Sequence, residues 1–145
     1  MAKATIKIYP YLILVAALFL GGLVNGAIVE LSGSIIPPPP GADFTTEEGL
    51  KKSMQLMEKK HFIFPFLAHA LGTLISGLIV VLFLKNSPKL HFYVFLVGAV
   101  FFLAGAYMVS ILPSPLWFTA VDLIFAYFPM AILPYWFMKF KKSAQ

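Results

Sequence analysis

Apolar residues fall in four long unbroken runs, at about 11–31, 62–84, 92–112 and 116–138. Each run is close to the ~20 residues that cross ~30 Å of hydrocarbon at about 1.5 Å per residue. Backbone polar groups cannot stay unpaired in lipid, so such runs are helices. The pattern predicts an all-α fold, a four-helix transmembrane bundle forming one membrane domain over 1–145. Connections at 85–91 and 113–115 are short, which sets the second helix beside the third and the third beside the fourth. No repeat of fixed period is present, so an inverted-repeat transporter is not indicated.

Only the connection 32–61 is long. It opens on Pro37-Pro38-Pro39-Pro40-Gly41, a stiff stretch that cannot be helical. Thr45-Thr46-Glu47-Glu48 then offers a capping box, with Thr45 as the cap and Glu48 at the third helical position. Glu47 with Lys51, and Glu48 with Lys52, are i,i+4 pairs in the favourable order. Leu50, Met54 and Met57 share one face. This predicts a short amphipathic helix on the membrane surface, either a connector shielding the bundle end or a lid over a site beneath it.

Composition agrees with the pattern. Charged residues are 12% and hydrophobic ones 60%, against about 25% and 45–50% in soluble domains. A soluble enzyme, a disordered chain and a disulfide scaffold are excluded on these grounds, and the absence of Cys removes thiol chemistry and thiolate metal ligation. The eleven basic residues are all Lys, and they cluster at the ends of the apolar runs, the membrane-orientation pattern rather than a nucleic-acid face. Lys3, Lys7, Lys85, Lys89, Lys139, Lys141 and Lys142 fall on one side; Lys51, Lys52, Lys59 and Lys60 fall on the other, mixed with acids. The asymmetry predicts both termini in the cytoplasm. The first run is longer than a signal-peptide core and has no A-x-A site after it, so it reads as an uncleaved span.

Candidate chemistry lies in the polar residues inside the spans, where an ionisable group costs about 2.5–3.5 kcal/mol and so faces a partner or a cavity. His69, Asp122, Tyr107 and Asn25 each fall about 8–10 Å below the same face when counted at 1.5 Å per residue. Glu30 sits at the boundary, and Thr73 and Tyr127 accompany the group. Each run thus brings a polar side chain to one depth in the outer leaflet. His69 and Asp122 are expected to pair, with Asn25 and Tyr107 completing the hydrogen bonding. Such a belt is either interhelical glue or the lining of a ligand pocket. Two outward histidines eight residues apart do not make a zinc or bis-His haem site, so neither metal nor cofactor is expected. No catalytic motif is present.

Further features concern packing. Gly22-x-x-x-Gly26, the ridge Ala68, Gly72 and Ser76, and the pair Gly98 and Gly105 all favour close helix contact, expected within the chain. Pro129 is expected to kink the fourth helix below Asp122. Tyr9, Tyr11, Trp117, Phe118, Tyr135 and Trp136 read as interfacial aromatic belts.

The segments 36–41 (IPPPPG), 61–73 (HFIFPFLAHALGT) and 115–118 (PLWF), with Asp122 and 126–131 (AYFPMA), resemble a family of small, uncharacterised four-span bacterial membrane proteins. The resemblance implies a bacterial inner membrane and carries no activity with it. Two functions are expected on the residues alone, with an intramembrane enzyme using His69 and Asp122 for acid–base work as a third alternative. The first is a polar outer-leaflet pocket for a small or lipid-like ligand, built from Asn25, Glu30, His69, Thr73, Tyr107, Asp122 and Tyr127. The second is a structural or accessory subunit acting through its helix faces, as a homo-oligomer or with a partner protein. Membrane lipid surrounds either form, and nucleic acid is not an expected partner.

Overall fold

The first apolar run continues as one helix through Ser32 and Gly33, because nothing there blocks it until Pro37 disfavours helical backbone at Ile36. The computed structural model describes residues 2–143, with side chains over 8–141, and places α1 at Ala2–Ile35. The flanking Lys3, Lys7 and Lys142 lie outside the described side chains. A short helix α2, Glu47–Ser53, follows, then a 3-10 turn at Lys59–Phe62 that feeds directly into α3, Ile63–Leu84. Next come α4, Leu90–Ile111, then α5, Leu116–Phe125, and α6, Phe128–Ser143. No strand occurs among the described residues.

Four stretches are long and apolar enough to cross a membrane: Ile8–Ile35, Lys59–Leu84, Leu90–Ile111 and Leu116–Lys141. The fold is all-α, and the chain is a multi-pass integral membrane protein. The third stretch is the single helix α4, and the fourth is α5 and α6 in series.

Helix α3 is the hub. Half of its span is buried, more than any other, and it packs on α1, α4 and α6. The α1–α3 seam explains why. Ser76 donates from its hydroxyl to the Ala17 carbonyl at 2.7 Å, and a Cβ on Gly21 would overlap Ser76 and the Gly72 carbonyl. Gly72 in turn faces the Gly21 carbonyl and the Asn25 Cβ. The ridge Ala68, Gly72 and Ser76 therefore meets Ala17, Gly21 and Asn25, spaced four apart. This corrects the expected Gly22-x-x-x-Gly26 contact: neither glycine has anything within 4 Å of its missing Cβ. Rotating α1 by the 100° of one residue exposes them and buries Ser76 with its hydroxyl bonded.

Two more glycines seat aromatic rings. Gly98 faces the Phe128 ring and Gly105 the Tyr127 phenol. Gly77 lets α3 touch the α6 backbone at Ala131. A core of Val80, Val81, Leu84, Leu90, Val94 and Val97 fills the terminal end of the bundle. The loop end, where 36–62 lies, is filled differently.

There Pro39–Ala42 forms a turn closed by Ala42 N–H donating to the Pro39 carbonyl at 3.1 Å. Gly41 has φ +83°, the left-handed value that the third residue of a type II turn requires. The cap of α2 is Thr46, not Thr45: its hydroxyl accepts from Gly49 N–H at 3.0 Å. Thr45 is engaged instead by Asp43, whose carboxylate accepts from its hydroxyl at 2.6 Å and its N–H at 2.8 Å. Those two bonds hold the Asp43 carboxyl below the usual carboxylate range, and the Lys51 ammonium does the same for Glu47. Both depressed groups contribute stability that is complete above their ordinary values, 3.8 and 4.5, and lost as pH falls through the lower folded values. Protection of the Thr45 and Gly49 amides, taken relative to intrinsic exchange at each pH, is accordingly expected to fall only in strong acid, and Asp43→Asn is expected to remove most of that dependence at Thr45. The paired lysines are in place, with Lys51–Glu47 at 2.7 Å and Lys52–Glu48 at 2.8 Å. Replacing Thr46 by Ala is expected to fray α2 at a cost of about 1 kcal/mol, read as faster exchange confined to 47–53.

The apolar face of α2 turns onto the bundle. Met54 packs with Phe62 and Phe118, flanked by Met57 and Phe66. Phe118 is thus a core residue and not part of an interfacial belt, whereas its neighbour Trp117 is exposed.

Candidate functional site

Helices α3 and α5 begin at the same end, and His69 and Asp122 are each the seventh residue of their helix. Equal register sets both about 9 Å from their helix starts. His69 Nδ1 lies 2.9 Å and 3.0 Å from the two carboxylate oxygens of Asp122. Asp122 is buried, and the His69 side chain keeps 25% exposure.

Tyr127 completes the cluster by an irregularity. In an unbroken helix residues five apart stand about 140° apart around the axis. Pro129 has no N–H for the Phe125 carbonyl and its ring crowds it, so the fourth span breaks at Ala126–Tyr127. The expected kink is therefore a full break, and it swings the Tyr127 ring back over Asp122. The Tyr127 hydroxyl donates to Asp122 at 2.7 Å and stands 3.1 Å from His69 Nδ1. The His69 and Tyr127 rings stack with centroids 5.7 Å apart. Gly105 gives the phenol its space, since a Cβ there would collide with the hydroxyl.

The proton position follows from these partners. One Asp122 oxygen already accepts from Tyr127, and both face Nδ1, so Nδ1–H donates to the carboxylate. Nε2 then lies on the side of the ring away from Asp122, has no hydrogen bond among the described residues, and in the neutral form of the ring is an acceptor. A carboxylate that fixes the tautomer and orientation of an imidazole leaves the far nitrogen as a defined acceptor.

His69 and Asp122 line a cavity of about 530 Å3. Its walls come from the loop-end residues of α1, α3, α4 and α5, and its roof from Pro38, Pro39, Phe44, Leu50, Met54 and Met57. The walls are mostly apolar, including Met108, Val109, Leu112 and Phe118. This size and lining, with a few convergent polar groups, is typical of small-molecule sites. The rings that join α1 to α4, Tyr11 and Tyr93, lie toward the terminal end, while Val29 and Met108 line the cavity and stay exposed at the loop end.

The other expected site residues are distributed unequally. Glu30 lines the cavity and is exposed at its rim. Thr73 is buried but turns its hydroxyl to the His69 carbonyl at 2.8 Å, so it braces α3 and does not reach the cavity. Asn25 packs on Gly72 in the α1–α3 seam. Tyr107 does not join the cluster: it is 64% exposed. It stands about 200° around α4 from Gly105, the residue that faces the site. His61 accepts from Glu58 N–H at 3.0 Å and lies 3.2 Å from the Pro37 carbonyl, tying the 3-10 turn to the proline stretch. Among the described residues no group of three or more His, Asp or Glu converges as a metal-ligand set.

No protein-family model, curated protein or solved structure matches this chain. What the cluster can do is therefore read from its geometry. It offers a fixed hydrogen-bond acceptor at the closed end of an apolar chamber.

Proposed function

We propose that this membrane protein holds a small or lipid-like amphiphile in the loop-end cavity, with the polar end of the ligand against His69. The observation that carries the reading is the oriented imidazole: a buried Asp122 and Tyr127 fix it, and its other nitrogen has no partner among the described residues. Interhelical glue would need only the bond between His69 and Asp122, with no chamber beside it. The lysine distribution supports termini in the cytoplasm, which puts the cavity in the outer leaflet. Resemblance to small four-span bacterial proteins supports a bacterial inner membrane.

The test is native mass spectrometry after purification in mild detergent. The wild-type chain is expected to retain a discrete non-protein mass. Val109→Trp, which fills the chamber, is expected to lose it, whereas Leu103→Trp, on an exposed face of α4, keeps it. Equal retention by both variants overturns the reading.

A second reading, a homo-oligomeric or accessory subunit, is supported by the outer face of α1, where Gly22, Gly26 and Gly33 are open. It predicts a cysteine at Gly26 that crosslinks to a second chain in the native membrane.

A further inference from the structure

The structure points to a narrower ligand class, and we propose that the cavity takes an amphiphile whose head donates a hydrogen bond and carries no negative charge: a hydroxyl or an ammonium group on an apolar body. This rests on the ligand-binding reading above and specifies its head group.

The open polar groups decide the class. The ionisable residues lining the cavity are Glu30, His61, His69 and Asp122; no lysine lines it, and the chain has no arginine. The Asp122 oxygens are taken by His69 and Tyr127. His61 is taken by Glu58 and Pro37. Two of these ionisable groups remain open, His69 Nε2 and the Glu30 carboxylate, which makes no hydrogen bond or ion pair among the described residues. With the imidazole neutral both are acceptors; the wall also carries the hydroxyls of Ser32, which donates to the Val29 carbonyl, and of Ser114, and neither supplies the positive charge that would hold an anion. A phosphate or carboxylate head would meet acceptors with acceptors, beside two acidic side chains and behind apolar walls, where an unpaired charge is least tolerated. The first turns of α3 and α5 do present N–H groups that favour anions, but that effect fades within one turn. His69 and Asp122 lie beyond it, at the seventh residue of each helix. A hydroxyl donates once to Nε2, and an ammonium has protons for both Nε2 and Glu30.

Four probes that share one chain test this: dodecan-1-ol, dodecylamine, dodecanoate and dodecyl phosphate, at pH 8, with the full chain in nanodiscs of neutral lipid. Binding is read by thermal unfolding and by native mass spectrometry. The alcohol, the amine or both are expected to bind at least about tenfold more tightly than either anion, the scale of one well-made hydrogen bond. Val109→Trp is expected to abolish that binding. Glu30→Gln separates the two heads: an ammonium at the site loses affinity and a hydroxyl does not. If an anion binds as tightly as the alcohol and the amine, and Val109→Trp still abolishes it, the head-group class is wrong and the cavity reading stands. If no probe binds, or binding ignores Val109→Trp, both fall.

Discussion

Asp122→Ala is expected to destabilise the purified protein by about 2–5 kcal/mol, because it strands two partners at once. Single hydrogen bonds between membrane helices average only about 0.6 kcal/mol, so loss of one bond would be hard to see. Here the His69 Nδ1–H and the Tyr127 hydroxyl both lose their acceptor, and Tyr127 is 1% exposed. A buried orphan costs about 1–3 kcal/mol, and His69, 25% exposed and 3.1 Å from the Tyr127 hydroxyl, recovers part of its share, which holds the sum to about 5 kcal/mol or less. Asp122→Asn is the informative companion. Its amide oxygen still accepts from Tyr127, so the fold is expected to hold within about 1 kcal/mol of wild type. Its amide N–H then faces Nδ1, which must become the acceptor, and the ring proton moves to Nε2. The variant should fold and yet fail to retain an ammonium ligand, which has no lone pair for Nε2–H, whereas a hydroxyl can turn and accept. Thermal unfolding and ligand retention, measured on both variants, check the pair; equal stability of Asp122→Ala and wild type would show the cluster to be unimportant to the fold.

The other large effect is expected one residue apart on α1. Gly21→Leu is expected to cost at least about 3 kcal/mol or to prevent folding, because the α1 and α3 backbones touch there and no side chain can move aside. Gly22→Leu is expected to change stability by less than about 0.5 kcal/mol, since nothing lies within 4 Å and the residue faces outward. Detergent-resistance or thermal-unfolding assays distinguish them directly. The reverse order would mean that α1 packs by its Gly22 and Gly26 face.

The long elements were legible because hydrocarbon imposes one rule on sequence, length without charge. The four stretches Ile8–Ile35, Lys59–Leu84, Leu90–Ile111 and Leu116–Lys141 match the runs expected, with ends shifted by a few residues. The shifts arise where a polar residue is no obstacle to helix, as at Ser32 and Gly33. Depth along a span was also legible: counting 1.5 Å per residue matches His69 to Asp122, which lie 2.9 Å apart. Direction around a span was not. Tyr107 has a suitable depth and the wrong azimuth, and Gly22 and Gly26 have the right spacing on the wrong face, because nearly uniform apolar helices carry little angular signal. Tyr127 reaches Asp122 only through the break before Pro129, an effect of one missing N–H that spacing alone does not convert into a contact. Gly105 was visible as a packing glycine, but nothing in its spacing said that an aromatic hydroxyl would occupy the gap. The Thr46 cap was missed by one position because Asp43 competes for Thr45, a local bond that a capping pattern does not contain.

In the proposed site Asp122 holds His69 with its proton on Nδ1 and leaves Nε2 to the ligand. Ring 15N NMR of histidine-labelled protein reads this proton, with His69→Gln to assign the signals. A protonated Nδ1 and an unprotonated Nε2 whose signal moves when dodecan-1-ol is added are expected, with the opposite proton position in Asp122→Asn. A wild-type signal with the proton on Nε2, or one indifferent to both the probe and the substitution, would contradict it.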